Sequence, residues 1–269
     1  WIKVYDLPQA GRNAKGKPVI NLLQLEDGEK VEAVLPIKEY TDDQFVFFAT
    51  KKGTVKKTPL SAFSNQRANG IIAVNLREGD ELLGVDMTNG NSDVMLFSDT
   101  GKVIRFNEND VRSMGRTAAG VRGMRLAEDS ELVGLVVVHP QTKEAPNEGD
   151  ILTATVNGYG KRTALSEYPL RGRGGQGVIS IQTSERNGNV IGAILVDEGD
   201  ETMLITNGGT LIRSRVAEVS RVGRNTQGVK LIKMGDNEQL ISVARIIPEE
   251  EEELDISEEN ENININDNE

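Results

Sequence analysis

Arginine recurs in this sequence at a fixed distance from glycine. The pattern Arg-x-x-x-Gly runs from Arg12 to Gly16, Arg116 to Gly120, Arg173 to Gly177 and Arg224 to Gly228. In a fifth copy, Gln66-Arg67-Ala68-Asn69-Gly70, the Arg is displaced by one. More bases gather around these loops, at Lys15, Lys17, Arg112, Arg122, Arg125, Arg171, Arg221 and Lys230. A second group follows short apolar runs: Lys56, Lys57, Lys102, Arg105, Lys161, Arg162, Arg213 and Arg215. Cations at repeated positions can neutralise phosphates without reading bases, and the gain comes largely from released counterions. Glycine lets backbone N–H groups approach phosphate oxygens, which brings Gly174, Gly175 and Gly177 into the candidate set. One copy of the pattern reads as a turn with an Arg packing across it. Five copies read as phosphate contact.

Other chemistries lack their residues. Cys is absent and His139 is the single His, which excludes thiolate metal sites, His-based zinc sites and most Ser-His or Cys-His arrangements. Zero cysteines also fit a reducing cytosol. Arg173-Gly174-Gly175-Gln176-Gly177 resembles a phosphate-cradling loop, but no Gly-Lys-Ser/Thr follows it. The segment from Asp86 to Asp93 lacks calcium-loop spacing and reads as a turn between strands. The tyrosines Tyr5, Tyr40, Tyr159 and Tyr168 read as packing residues, with Tyr159 and Tyr168 able to flank a rim. No apolar run approaches the roughly 20 residues that span a bilayer.

The formal net charge of −11 argues against nucleic acid until it is divided. Residues 249–269 hold 11 acids and no Lys or Arg, which leaves 31 acids against 31 bases in the body. Ile256, Ile263 and Ile265 stand alone in that tail, so nothing offsets its ordering entropy, and 248–269 is expected to be disordered. Two readings of the tail stand. It is a solubilising tail, or a tethered polyanion that contacts the basic surface and competes with an anionic ligand.

The elements that must carry these bases are strands. The closing glycines of the five copies lie 54, 50, 57 and 51 residues apart, with a polar insertion at 139–149 in the longest gap. Each motif precedes a short strand, such as Ile71 to Leu76 or Val178 to Ile181, then an acidic turn such as Glu78-Gly79-Asp80. An apolar strand follows, as in Leu82 to Val85 and Val190 to Ile194. Next comes a hairpin turning at Gly53, Gly101, Gly160 or Gly209. Four strands in roughly 50 residues make a propeller blade, and blades must pack on one another in a ring. The acids are expected on the opposite turn from the bases, which gives a disc with a basic track. The register makes Ile2 to Tyr5 the second arm of a hairpin whose first arm would lie upstream.

Several long stretches carry a family resemblance. Lys17 to Leu23, Gly53 to Thr58, Val94 to Ser98, Asn157 to Thr163 and Val222 to Gly228 are similar to the C-terminal domain of the bacterial DNA gyrase A polypeptide. The resemblance covers about 1–247. It implies an all-β, six-bladed β-pinwheel, a propeller-like ring of four-stranded blades that exchange strands, here with an incomplete first blade. It also implies sequence-nonspecific wrapping of duplex DNA around the rim, in support of ATP-dependent negative supercoiling by a parent complex with the gyrase B polypeptide. Catalysis, ATP and Mg2+ would belong to other domains of that parent, which would be cytoplasmic and nucleoid-associated. The family's hallmark box, Gln-Arg-Arg-Gly-Gly-Lys-Gly, would lie one repeat upstream of Gly16. Here the loop Arg171-Gly172-Arg173-Gly174-Gly175-Gln176-Gly177 matches it at Arg173, Gly174, Gly175 and Gly177 and departs from it at Arg171, Gly172 and Gln176. The alternatives are the equivalent domain of topoisomerase IV, a propeller that binds proteins, and, third, an enzyme on a propeller scaffold.

Overall fold

The computed structural model describes residues 1–248 apart from Arg12, Gln24, Asp27, Ala68 and 140–148. The acidic tail and most of the polar insertion therefore lie outside the described residues. Among the described residues four hairpins stand out: β1 (Phe45–Thr50) with β2 (Thr54–Pro59), β4 (Asp93–Ser98) with β5 (Lys102–Asn107), β8 (Asp150–Thr155) with β9 (Tyr159–Ala164), and β12 (Glu201–Thr206) with β13 (Leu211–Arg215). Each incoming arm pairs on its other side with an inner strand: β3 (Leu82–Thr88), β7 (Leu132–Val138), β11 (Val190–Val196) and β15 (Leu240–Ile246). The inner strands lie side by side around a central cavity, where Gly84, Gly134, Gly192 and Ser242 hold equivalent positions. Small residues there let neighbouring backbones approach.

The fourth strand of a blade comes from the next repeat. β6 (Val121–Arg122) pairs with β2, β10 (Val178–Ile179) with β5, and β14 (Val229–Lys230) with β9. Sheets of order β3-β1-β2-β6, β10-β5-β4-β7 and β11-β8-β9-β14 result, with a three-stranded sheet β13-β12-β15 at the end. This is the strand exchange of a pinwheel, and the described residues build four blades of it.

The cores sit between blades, because each sheet is too small to bury both faces alone. Phe47, Ala49 and Val55 of the first blade meet Val94, Leu96, Ile104 and Phe106 of the second. The alternate residues Met95, Phe97 and Val103 meet Ile151, Leu165 and Tyr168 on the other side. Leu152 and Ala154 of the third blade then meet Leu204 and Val216 of the fourth. Period-2 alternation thus feeds two cores from one strand.

Two expected strands are irregular. Val4–Asp6 is a 3-10 turn closed by Asp6 N–H to Lys3 O and Leu7 N–H to Val4 O, at 2.9 and 3.2 Å. Residues 71–76 carry no strand pairing. The second has a physical reason. A two-residue edge strand forms only against the outgoing arm of a preceding hairpin, and no hairpin precedes β1 among the described residues. Ile71, Ala73 and Val74 instead pack around Val46, Phe48, Leu60 and Phe63. In the third hairpin the turn glycine is Gly158, at φ +76°, while Gly160 lies inside β9 against Thr153 O.

Candidate nucleic-acid interface

The motif loop runs along the outer edge of the preceding blade. Ser113, Leu170 and Arg221 bridge in parallel to Lys57, Arg105 and Arg162 of the earlier outgoing arm. Amides of Met114, Arg171 and Val222 donate to the carbonyls of those same three arm residues at 2.8 to 2.9 Å. The loop then turns through its glycine into the edge strand. Gly120, Gly177 and Gly228 have φ of +86°, +73° and +77°. A Cβ on Gly120 or Gly228 would lie 2.5 Å from Val55 O or Gly160 O, and one on Gly177 would strike Val103 O. These glycines are required by close approach to the neighbouring blade, and Gly177 has its role there.

The motif arginines close the same joint. Arg116 Nη1 donates to Ile72 O at 2.8 Å, Arg173 Nη1 to Arg122 O at 3.0 Å and Arg224 Nη1 to Ile179 O at 2.7 Å. Each acceptor is the residue two past the preceding motif glycine, so each Arg clasps one loop to the next. Arg173 Nε also reaches Asp110 O at 2.7 Å. A guanidinium has five N–H donors, so the remaining ones stay available on the exposed Arg173.

The outgoing arms correct the candidate set. Lys56, Lys57, Lys161 and Arg162 are buried, at 1%, 4%, 0% and 8% exposure, and cannot meet a polyanion. Lys56 Nζ donates to Ala73 O and Arg116 O, and Lys161 Nζ to Gly223 O and Arg224 O. Lys57 lies 3.5 Å from the buried Glu108 carboxylate. Arg162 binds Val219 O, Asp150 and Glu198. Arg105 and Arg213 pair with Asp93 and Glu201, each twelve residues earlier in its own hairpin. Arginine at this arm position is held by a carboxylate of its own hairpin, and a strand lysine gives no sequence sign of its burial.

Burial, reinforced by Arg116, lowers the Lys56 pKa from 10.5 to about 8. Burial does the same to Lys161 against the opposing pull of Glu167, also to about 8. The unfolded chain therefore binds more protons than the folded one between those values, and stability rises with pH across that window. This contribution is full above 10.5 and lost as pH falls to about 8. In the double variant Lys56→Met, Lys161→Met, thermal melts between pH 8 and 10.5 should show a smaller gain than the unaltered chain. An equal gain would contradict the burial of these ammonium groups.

The acids are also placed differently from expectation. They stand beside the hairpin tips, where their carboxylates hold the turns. Asp80 accepts from Thr50 Oγ1 at 2.7 Å and Lys52 N–H at 3.0 Å, and Asp99 accepts from Glu131 N–H at 3.2 Å. Asp129 and Glu131 share one cleft with Lys52, Arg122 and Arg125.

The exposed bases that remain fall on the outer edges. Arg112 and Arg122 lie over the first blade, Arg171 and Arg173 over the second, and Arg221 and Lys230 over the third. Lys102 opens β5 beside Ile179, and Arg125 N–H bonds Gly175 O at 2.8 Å, which brings it to the Gly174-Gly175 loop. Arg221 is offset by Asp150 at 2.9 Å. Arg215, Arg67, Lys15 and Lys17 are exposed, and Arg12 lies outside the described residues. Arg186 was not singled out by the sequence pattern. Its turn, Glu185-Arg186-Asn187-Gly188, carries Arg where equivalent turns carry Glu78, Glu128-Asp129 and Asp236, and that exchange was the available signal. Among the described residues no His/Asp/Glu group could hold a metal, and no helix is long and apolar enough to cross a membrane.

The family model described as DNA gyrase C-terminal domain, beta-propeller, matches residues 1–38, 44–89, 92–139, 149–197 and 200–247. The DNA gyrase A polypeptide of Klebsiella oxytoca is 56% identical over 246 residues, 91% of this chain and 27% of that protein. Its counterpart in Escherichia coli (strain K12) is 51% identical over 245 residues, again 91% and 27%. The chain thus spans about a quarter of the length of these relatives, 27%. Among solved structures, a DNA gyrase A C-terminal domain superposes with TM-score 0.75 at 28% identity, covering 87% of this chain and 76% of that one. A C-terminal domain of DNA topoisomerase IV superposes with TM-score 0.81 at 25% identity, covering 90% and 74%.

Proposed function

The chain belongs to the family of DNA gyrase C-terminal domains with the beta-propeller fold, and from that premise we propose that it binds, bends and wraps duplex DNA along the outer edges of its blades. One observation carries the reading. Each strand exchange lays a loop over the neighbouring blade's edge, and that loop presents exposed bases at successive edges: Arg112 and Arg122, Arg171 and Arg173, Arg221 and Lys230. A curved series of cations follows a phosphate backbone without reading sequence. Bending 20–30 bp costs of order 1–6 kcal/mol, so several edges must engage together.

In this reading the chain itself performs no catalysis and takes no ATP or metal. It serves a parent gyrase that pairs the gyrase A and gyrase B polypeptides and introduces negative supercoils in the bacterial cytoplasm, associated with the nucleoid. The 56% identity to the gyrase A polypeptide of Klebsiella oxytoca favours that parent. The larger TM-score of the topoisomerase IV domain speaks only to shape.

The test is duplex affinity against salt, with and without residues 249–269. Binding should weaken steeply with salt, with a slope of about 0.9 per phosphate contact on a log-log plot. Tail deletion should tighten binding if the tail competes for the rim, and equal affinities would leave it a solubilising tail. A chain without the tail that binds no duplex even at low salt would end the proposal.

A further inference from the structure

One rim site departs from the repeat. Tyr159 opens β9, and its partner across the strand exchange is Lys230 of β14. The Arg186 guanidinium carbon lies 4.8 Å from the centre of the Tyr159 ring, and Lys230 Nζ lies 6.0 Å from it. Two cations thus sit against one aromatic face system, which attracts them through the ring quadrupole. The turn that presents Arg186 is tightly held. Asn157 Nδ2 donates to Glu185 O at 3.1 Å and Arg186 O at 3.2 Å, while the buried Asn187 bridges Gln182 O and Gln227 O at 2.8 and 3.1 Å. Gly188, at φ +72°, packs against Val156 and Asn157.

Charge and exposure complete the picture. Arg186 and Lys230 are exposed. Neither forms an ion pair among the described residues, whereas Arg105, Arg162, Arg213 and Arg221 all do. The neighbouring Arg186 guanidinium and the Lys230 charge hold the Tyr159 hydroxyl below the usual tyrosine range. At the aligned position the other described repeats carry an acid, whereas here Arg186 follows Glu185 and leaves the turn formally neutral.

We infer that Tyr159, Arg186 and Lys230 form a preorganised phosphodiester anchor on the third blade, at which bound duplex is pinned. This rests on the proposed DNA-wrapping role and names where along the rim the backbone is held. Two cations fixed by one ring lose little side-chain freedom when a phosphate arrives, and the phenol hydroxyl adds a donor. Arg112, Arg122 and Arg171 make no ion pair among the described residues and stack on no ring there, while Arg173 and Arg224 spend donors on backbone carbonyls.

The test compares the unaltered chain with Arg186→Ala, Lys230→Ala and Tyr159→Phe on one duplex. Arg186→Ala and Lys230→Ala should each lower affinity about tenfold and reduce the salt slope by about 1. Tyr159→Phe, which keeps the ring, should lower affinity less and weaken the effect of Arg186→Ala when combined with it. The chain has no Cys, so Glu185→Cys carries a single photo-crosslinker beside the cluster, and it should attach to bound duplex. If the unaltered chain binds duplex while Arg186→Ala and Lys230→Ala leave affinity and slope unchanged, the anchor is overturned and the wrapping role stands. Bound duplex that escapes the Glu185→Cys crosslinker likewise overturns it. No duplex binding by the unaltered chain overturns both.

Discussion

Gly120→Ala and Gly177→Ala are each expected to destabilise the chain by about 2–5 kcal/mol. Two costs combine. An L-residue held at φ +86° or +73° pays roughly 1–2 kcal/mol. The added methyl would also meet a carbonyl oxygen, Val55 O for Gly120 and Val103 O for Gly177. Backbone cannot swing away as a flexible side chain does, so overpacking adds about 1–3 kcal/mol. Relief requires lifting Val121–Arg122 from β2, or Val178–Ile179 from β5, which removes the edge strand and the inter-blade clasp together. Denaturant melts should show the loss. Gly115→Ala, where a Cβ would meet nothing within 4 Å, should cost far less in the same experiment. Equal stability of Gly120→Ala and the unaltered chain would contradict the strand exchange.

The second large effect is expected on binding rather than folding. Replacing Arg112, Arg122, Arg171 and Lys230 together by Gln removes exposed cations from three successive blade edges. These four make no ion pair among the described residues, unlike Arg221 with Asp150, so the melting temperature should hold. Duplex affinity at about 0.15 M salt should fall by about 10^3, and the log-log salt slope should shrink by about 3–4. The same count of substitutions at Lys56, Lys57, Lys161 and Arg162 should behave in reverse. Those groups are buried in blade joints, and their loss should unfold the chain before it changes the salt slope. Measuring melting and slope on both variants separates a binding surface from a structural one.

The hairpins were legible because their signals are local. Phe45 to Ala49 is an unbroken apolar run, and Gly53, Gly101 and Gly209 mark the turns they occupy. The third turn misled because Gly158 and Gly160 stand two apart and only backbone conformation tells them apart. Strand exchange was not legible from periodicity. Val121 pairs with Val55 across 66 residues, and a two-residue strand has no pattern of its own; the family resemblance supplied that expectation. Nor was the fate of the arm bases. Lys56 and Lys161 sit in strands that look half-exposed, but the next repeat's loop covers them and supplies carbonyls to their ammonium groups. The motif arginines combined both readings weighed from sequence. Arg116, Arg173 and Arg224 do pack across the turn, onto carbonyls of the preceding copy, and that same clasp sets the edge on which the exposed bases stand.

Wrapping, as distinct from binding, is tested most directly on closed circular DNA. A relaxed circle is incubated with the chain, treated with an enzyme that nicks and reseals, and stripped of protein before its topoisomers are separated. Duplex led around successive blade edges should leave a shift in linking number that grows with bound chain, and the Arg112, Arg122, Arg171, Lys230→Gln variant should leave none. A chain that saturates the circle yet leaves the topoisomer distribution unchanged would contradict wrapping around the rim.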